Sequence, residues 1–515
     1  MGESPPDDLI EKEIAERVRN ATRGISSLIV QNIVNSLLGF VFLGALLRLL
    51  PPIDYGAYSG VVVSIGIAGP IALPGLQIAA ARYISLKKQE KENWIQSARS
   101  VLILSLATTT AATAVLLLLA PSLSLYYMKS ASFTEVFQLG ALWLFSSSIA
   151  SIFQAFVQGL KKYSFLAKML LVSRAAMVAF TIIGLLLFSN VMISIIAWVI
   201  YSAIIVAWSL TIFRPDSFKP VQPNESSEPH ESYSGILRYS LPLGIASVFS
   251  LIGSNADVVI LGGYLGPISL ATYNAAVTVS AILSLVLITP LSTLILPEAS
   301  SNAGNETAVS NVLRLSFRFV MLVLLPASLL LAGLSTQFIV LFSGGGGYLA
   351  GSVPLLLIAS FYVLIGLQTA IFFVLQAIGQ TLRALIIAAI TASVDAAFAL
   401  LLVPHFGLIG GAVTKDLVAI LGLVASIYVG RSYLKALDRF SFYAKSILPS
   451  IGIFVLAYGL STFVANRTLT LIPYSVGALV IFLLLVKALK LLSDEDRYFL
   501  SHVLPKSLQR LVRLI

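Results

Sequence analysis

LLPPIDYGAYS, residues 49–59, returns later in the chain as YLGPISLATYN, residues 264–274. At a constant offset of 215, Leu50 meets Leu265, Pro52 meets Pro267, Ile53 meets Ile268, Gly56 meets Ala271 and Tyr58 meets Tyr273. A second pair, FVQGLKKY (156–163) and VLQAIGQT (374–381), sets Gln158 over Gln376 at an offset of 218. Both pairs fall on connections between apolar runs. The chain therefore reads as a duplicated unit, and the repeat decides how its apolar runs are grouped.

Those runs are membrane spans. The 515 residues are 58% hydrophobic and only 11% charged, with a mean hydropathy of +0.94, outside the range of soluble domains. Runs of about twenty apolar residues, the length that crosses the hydrocarbon core, recur from end to end. We read fourteen: 25–50, 57–82, 98–120, 134–159, 166–188, 190–213, 236–262, 268–296, 312–334, 351–378, 381–403, 407–431, 444–465 and 470–492. An even number places both termini on one side. Of the 33 Lys and Arg, all but Arg48, Lys129, Lys415 and Arg467 fall with the termini. The positive-inside rule makes that side cytoplasmic. The net charge of +10 is thus a topology signal, and no nucleic-acid partner is expected.

Residues 25–213 and 236–431 form the two repeats of six spans each. Because six is even, both have the same orientation, related by an axis along the membrane normal. Spans 444–492 stand outside the repeat. The segment 214–235, rich in Pro, Ser and acidic residues, is a cytoplasmic linker. Residues 1–24 carry Ile10, Ile14 and Val18 at helical spacing and read as an amphipathic cytoplasmic segment, with no cleavable leader. Residues 493–515, with Leu508, Leu511, Val512 and Ile515, read as a second.

Several chemistries are excluded. There is no cysteine, hence no disulfide or thiolate site. His230, His405 and His502 are scattered and suggest no metal cluster. The run Gly344–Gly347 lacks the Lys-Ser/Thr of a phosphate loop and reads as a flexible outer loop. No catalytic constellation is visible, so no enzymatic activity is expected.

The stretches LLRLLPPIDYGAYS (46–59) and GLQIAAARYIS (75–85) resemble the first two spans of the polysaccharide transporter family of the multidrug/oligosaccharidyl-lipid/polysaccharide (MOP) flippase superfamily. Further matches are YSLPLGIASVFSLIGSNADVVILGGYLGPISLATYNAA (239–276), LPEAS (296–300) and VLQAIGQTLRALIIAAITASVDAAFALLLVPHFGLIGGAV (374–413). The resemblance covers nearly the whole chain in order. It implies an all-α, MATE-like fold of two six-helix lobes plus two C-terminal helices, with a cavity lined by spans one, two, seven and eight. It further implies a flippase carrying a polyprenyl phosphate- or pyrophosphate-linked oligosaccharide to the outer leaflet of the cytoplasmic membrane by alternating access. The alternative is an ion-coupled exporter of drugs or small solutes on the same fold. Many multidrug exporters of the superfamily carry an acidic residue in span one; here Gln31, Asn32 and Asn35 stand there. A glycosyltransferase or ligase would need a soluble domain or acidic metal motif, and a non-transporting scaffold would need no cavity.

A glycolipid head group is hydrophilic and anionic, so its route needs hydrogen-bonding groups and positive charge. Ser27, Gln31 and Asn35 form one stripe, either a sugar-binding wall or interhelical bonding. Ser147, Ser151, Gln154 and Gln158 share a face that we assign to packing. Arg48, Arg82 and Arg174 can meet a phosphate or acidic sugar, or else snorkel to lipid heads. Asp395 and Lys415 lie ten residues either side of His405, which predicts an ion pair at similar depth with Asp416 adjacent, read as a structural tie, with a proton or cation site as the alternative. Asp257, whose partners are sought among Asn255, Tyr273, Asn274 and an arginine, either exchanges a proton or Na⁺ or ties span seven to span eight. No cofactor is expected beyond H⁺ or Na⁺ as coupling ion. The expected partners are the lipid-linked glycan and membrane lipids, with the chain a monomer beside glycan-assembly enzymes.

Overall fold

The computed structural model describes residues 31–89 apart from 33, 94–212, 233–463 and the isolated positions 477, 480, 484 and 487. The amphipathic segments 1–24 and 493–515, most of the linker 214–235 and most of the span 470–492 lie outside the described residues, as do Ser27 and Arg467. Among the described residues there is helix and no strand, and ten helices are long and apolar enough to cross a membrane. This is a multi-pass membrane protein. Helices are what lipid permits, because each satisfies its own backbone hydrogen bonds.

Two compact units divide the described chain. One comprises residues up to Leu50 together with Val61–Val248; the other comprises Pro51–Gly60 and the chain from Phe249 on. The first contains α1 (Val34–Leu49), most of α2 (Pro52–Ala72), α3 (Leu76–Gln89), α4 (Trp94–Met128), α5 (Thr134–Gly159), α6 (Tyr163–Phe188), α7 (Val191–Leu210) and the start of α8 (Tyr233–Leu265). The hydropathy reading made one span of 57–82, but the structure breaks it at residues 73–75. Pro74 has no N–H to donate and Gly75 takes φ 70°, so α2 stops and α3 starts afresh. The carbonyl this frees on Ala72 accepts from Thr108 Oγ1 of α4 at 2.7 Å. Leu76, Ala80 and Ile84 of α3 then pack on Ile152 and Phe156 of α5 and Ile236 of α8.

The second unit holds the rest of α8, then α9 (Pro267–Ser280), α10 (Thr289–Ser301), α11 (Glu306–Phe319), α12 (Leu325–Gly333), α13 (Ser335–Ser343), α14 (Ser352–Ala377), α15 (Thr381–Gly430) and α16 (Phe440–Phe463). Two π-helical turns, Ser284–Ile288 and Val320–Leu324, join α9 to α10 and α11 to α12. Each ends two residues before a proline, Pro290 and Pro326. A proline ring clashes with the carbonyl four residues back, which here lies inside the π turn, and widening the helix relieves that clash.

One expectation holds and one changes here. Spans 381–403 and 407–431 are the two arms of α15, which reverses at Gly407 (φ 59°, ψ −130°). The run Gly344–Gly347 is an ordered helix end: Gly344 (φ 73°) caps α13, and a 3₁₀ turn, Gly346–Gly351, leads into α14. Positive φ at Gly344 and Gly345 suits glycine and explains the run without a ligand.

Candidate functional site

In the second unit, α8, α9 and the two arms of α15 converge on a buried charged cluster. Gly411 and Lys415 are one turn apart on the second arm, and Asp257 and Leu261 one turn apart on α8, so each pair shares a face. A Cβ on Gly411 would come within 2.9 Å of the Tyr273 ring and 3.1 Å of Leu261. The bare glycine therefore admits the ring, and one turn further Lys415 reaches Asp257. Lys415 Nζ stands 2.8 Å from Asp257 Oδ1 and 3.5 Å from Asp395 Oδ2. Tyr273 donates its hydroxyl to Asp257 Oδ2. Both carboxylates are fully buried, and Asp416 beside Lys415 is buried too.

Asp395 and Lys415 are twenty residues apart, which along a straight helix is about 30 Å. Their contact follows from the reversal at Gly407. What sequence reasoning missed is that the nearer partner of Lys415 is Asp257. Residue spacing gives no sign of a pair separated by that much chain. The only hint was the shortage of intramembrane cations available to Asp257.

In the first unit, Arg174 of α6 lies among aromatic rings. Its guanidinium carbon is 4.8 Å from the Trp198 ring centroid on α7 and 5.5 Å from that of Phe42 on α1. Trp198 in turn stacks on Trp143 of α5 at 5.0 Å and meets Tyr201 edge-on at 5.6 Å. Arg174 Nη1 points to Met177 Sδ at 3.7 Å. Stacking on indole suits the weakly hydrated guanidinium and holds its charge inside an apolar bundle.

The remaining candidates divide by depth. Gln31 is buried and Asn35 half-buried on the first span; Arg48 is exposed at the end of α1, and Arg82 is exposed in the middle of α3. Asn274 belongs to neither cluster: its Nδ2 donates to Ser59 Oγ at 2.9 Å. On α5, Ser147 and Ser151 donate to carbonyls of their own helix, Leu144 and Ser147, which satisfies them without a ligand.

The arrangement has the fold of the MOP transporters. The chain is similar to a structure titled "Lipid II flippase MurJ, inward closed conformation", with a TM-score of 0.72 and 15% identity over 89% of this chain and 98% of that one. It is also similar to an inward-facing multidrug resistance MATE family transporter of the MOP superfamily, at TM-score 0.60 and 16% identity over 80% of this chain and 99% of the other. An outward-facing one gives 0.52 and 16% over 81% and 94%. The chain belongs to the polysaccharide biosynthesis protein family, whose model matches residues 21–303, more than half its length. No curated protein matches it by sequence.

Proposed function

We propose that this protein is a flippase that moves a polyprenyl phosphate- or pyrophosphate-linked oligosaccharide from the cytoplasmic to the outer leaflet of the cell membrane by alternating access. The observation that carries this reading is membership of a polysaccharide biosynthesis family on a transporter fold. Polysaccharide precursors are built on lipid carriers whose tails can stay in the bilayer, so only the head group needs a polar route. Arg174 offers a positive charge, and Gln31 and Asn35 offer hydrogen bonds, within apolar spans. The Asp257–Lys415–Asp395 cluster is the candidate coupling element. Two carboxylates share one ammonium, an excess of one negative charge that a proton or Na⁺ would balance.

The test is leaflet-resolved transport in proteoliposomes. A polyprenyl-pyrophosphate oligosaccharide should be flipped by the native protein, several-fold more slowly by Arg174→Ala, and without response to a pH or Na⁺ gradient by Asp257→Asn. Transport of organic cations with no flipping of any lipid-linked glycan would sink the reading in favour of an exporter.

A further inference from the structure

Beyond the charged cluster, a line of polar side chains runs down the interface of α14 with α15, all within the second unit. Thr391 lies one turn before Asp395 on the first arm of α15. It meets α14 at Gly422 of the second arm: a Cβ there would come within 2.5 Å of Gln368 Oε1 and 2.8 Å of Thr391 Cγ2. The bare α-carbon therefore admits the Gln368 carboxamide beside Thr391. Ser426 follows one turn past Gly422, about 16 Å along the arm from Lys415. At the end of the line Gln380, in the turn between α14 and α15, donates from Nε2 to the Tyr433 hydroxyl at 2.7 Å. Arg383 and Arg431 flank that end, which the charge count makes cytoplasmic.

Two atoms on this line are left unpaired. Ser426 is fully buried, and its Oγ has no hydrogen-bond partner. Helix hydroxyls ordinarily donate to a carbonyl of the preceding turn, as Thr414 and Thr391 do on the same helix at 2.8 and 2.9 Å. Gln380 Oε1 is buried and equally unmet. Buried polar atoms in this state are met by bound water, which needs several polar neighbours to stay. Gln368, Thr391 and Ser426 supply them within apolar spans. Polar side chains kept inside a membrane mark ion and proton pathways. The line leads to Asp395, which is fully buried. The titratable groups around Asp395 are Lys415 and Asp416 on the second arm, Asp257 on α8, Tyr273 on α9 and Tyr362 on α14.

We propose that Thr391, Gln368, Ser426 and Gln380 line a water-bearing route through which Asp395 exchanges a proton with the cytoplasm. The hydroxyls of Thr391 and Ser426 each accept a proton from one water and release their own to the next, while the two carboxamides hold waters in place. The proton comes from cytoplasmic water, converts the Asp395 carboxylate to the acid, and returns through the same atoms. This rests on the reading of the Asp257–Lys415–Asp395 cluster as a coupling element, and the two can fail separately. The chain has no cysteine, so an introduced thiol is the only one present. In inside-out membrane vesicles Ser426→Cys should be blocked by Ag⁺. Ser450→Cys should stay free until unfolding, because Ser450 of α16 is equally buried but bonded to the Ser446 carbonyl. Equal reaction of the two thiols, or equal protection, overturns the route. In protein reconstituted in lipid, infrared spectroscopy after a drop in pH should show a protonated carboxyl band that Asp395→Asn removes. Its appearance should slow several-fold in Ser426→Val and in Thr391→Val, and Thr391→Ser should restore the native rate. An absent band, or unchanged rates in both valine variants, overturns the proposal. Slowed rates, with flipping that ignores a pH gradient, support the route and reject coupling at this cluster.

Discussion

Lys415 holds two carboxylates at once, and that fixes the order in which substitutions at the cluster should hurt. Removing one partner of a buried ion pair costs about 3–5 kcal/mol, because the other charge is left uncompensated. Lys415→Met strands both Asp257 and Asp395 and should be the most destabilising. Asp257→Asn leaves Lys415 with Asp395 at 3.5 Å and should come second; Asp395→Asn keeps the 2.8 Å contact and should be mildest. Thermal unfolding in detergent measures the series, and a Lys415→Met protein as stable as Asp395→Asn would refute the shared pairing. The same residue explains an anomaly in the charge count. Lys415 is one of the few cations on the outer side of the count. Inside the membrane its charge answers to Asp257 and Asp395 and says little about topology.

Among elements, α15 shows what the sequence reading could and could not reach. Its two arms were visible as separate apolar runs, and the register of Asp395 and Lys415 about His405 followed from counting turns. The pivot was not visible, since hydropathy is blind to φ and ψ. Gly407 sits at φ 59°, ψ −130°, a region that side chains with a Cβ avoid. Gly407→Ala should cost about 1–3 kcal/mol, read as a lowered melting temperature. Gly459→Ala in α16, with open space at the Cβ position, should cost nothing measurable. Equal effects would show that the reversal tolerates a side chain. The break at Pro74–Gly75 was missed for a related reason: a window long enough to detect a span averages over three residues that end a helix. The π turns were beyond reach for another. Pro290 and Pro326 announce a disturbance, but whether the helix kinks, breaks or widens depends on what packs around it. The contact of Asp257 with Lys415 depends on tertiary folding alone.

At the scale of the whole molecule the open question is which way the chain lies in the membrane, and α5 offers a clean ruler. Its 26 residues, Thr134–Gly159, are about 39 Å long, against a hydrocarbon core of about 30 Å. The connections at its two ends therefore face opposite sides. Lys129 precedes it and Lys161 follows it, and both are exposed. The charge count puts Lys161 and its neighbour Lys162 with the cytoplasmic majority and Lys129 with the outer minority. Lys129 has a local reason to be there: its Nζ donates to the Tyr126 carbonyl at 3.0 Å near the end of α4, where a cation complements the helix dipole. The two outer lysines described, Lys129 and Lys415, are thus each held by local chemistry, which leaves the rule resting on the cytoplasmic set. In the naturally cysteine-free chain, Lys129→Cys should be modified by a membrane-impermeant maleimide added outside intact cells, and Lys161→Cys only after permeabilisation. Both positions have positive φ, 56° and 57°, so replacing one non-glycine side chain by another strains neither more than the other. A difference in labelling would then report sidedness alone. The reverse pattern would invert the protein, placing the α1–α2 connection and Pro51–Gly60 on the cytoplasmic face.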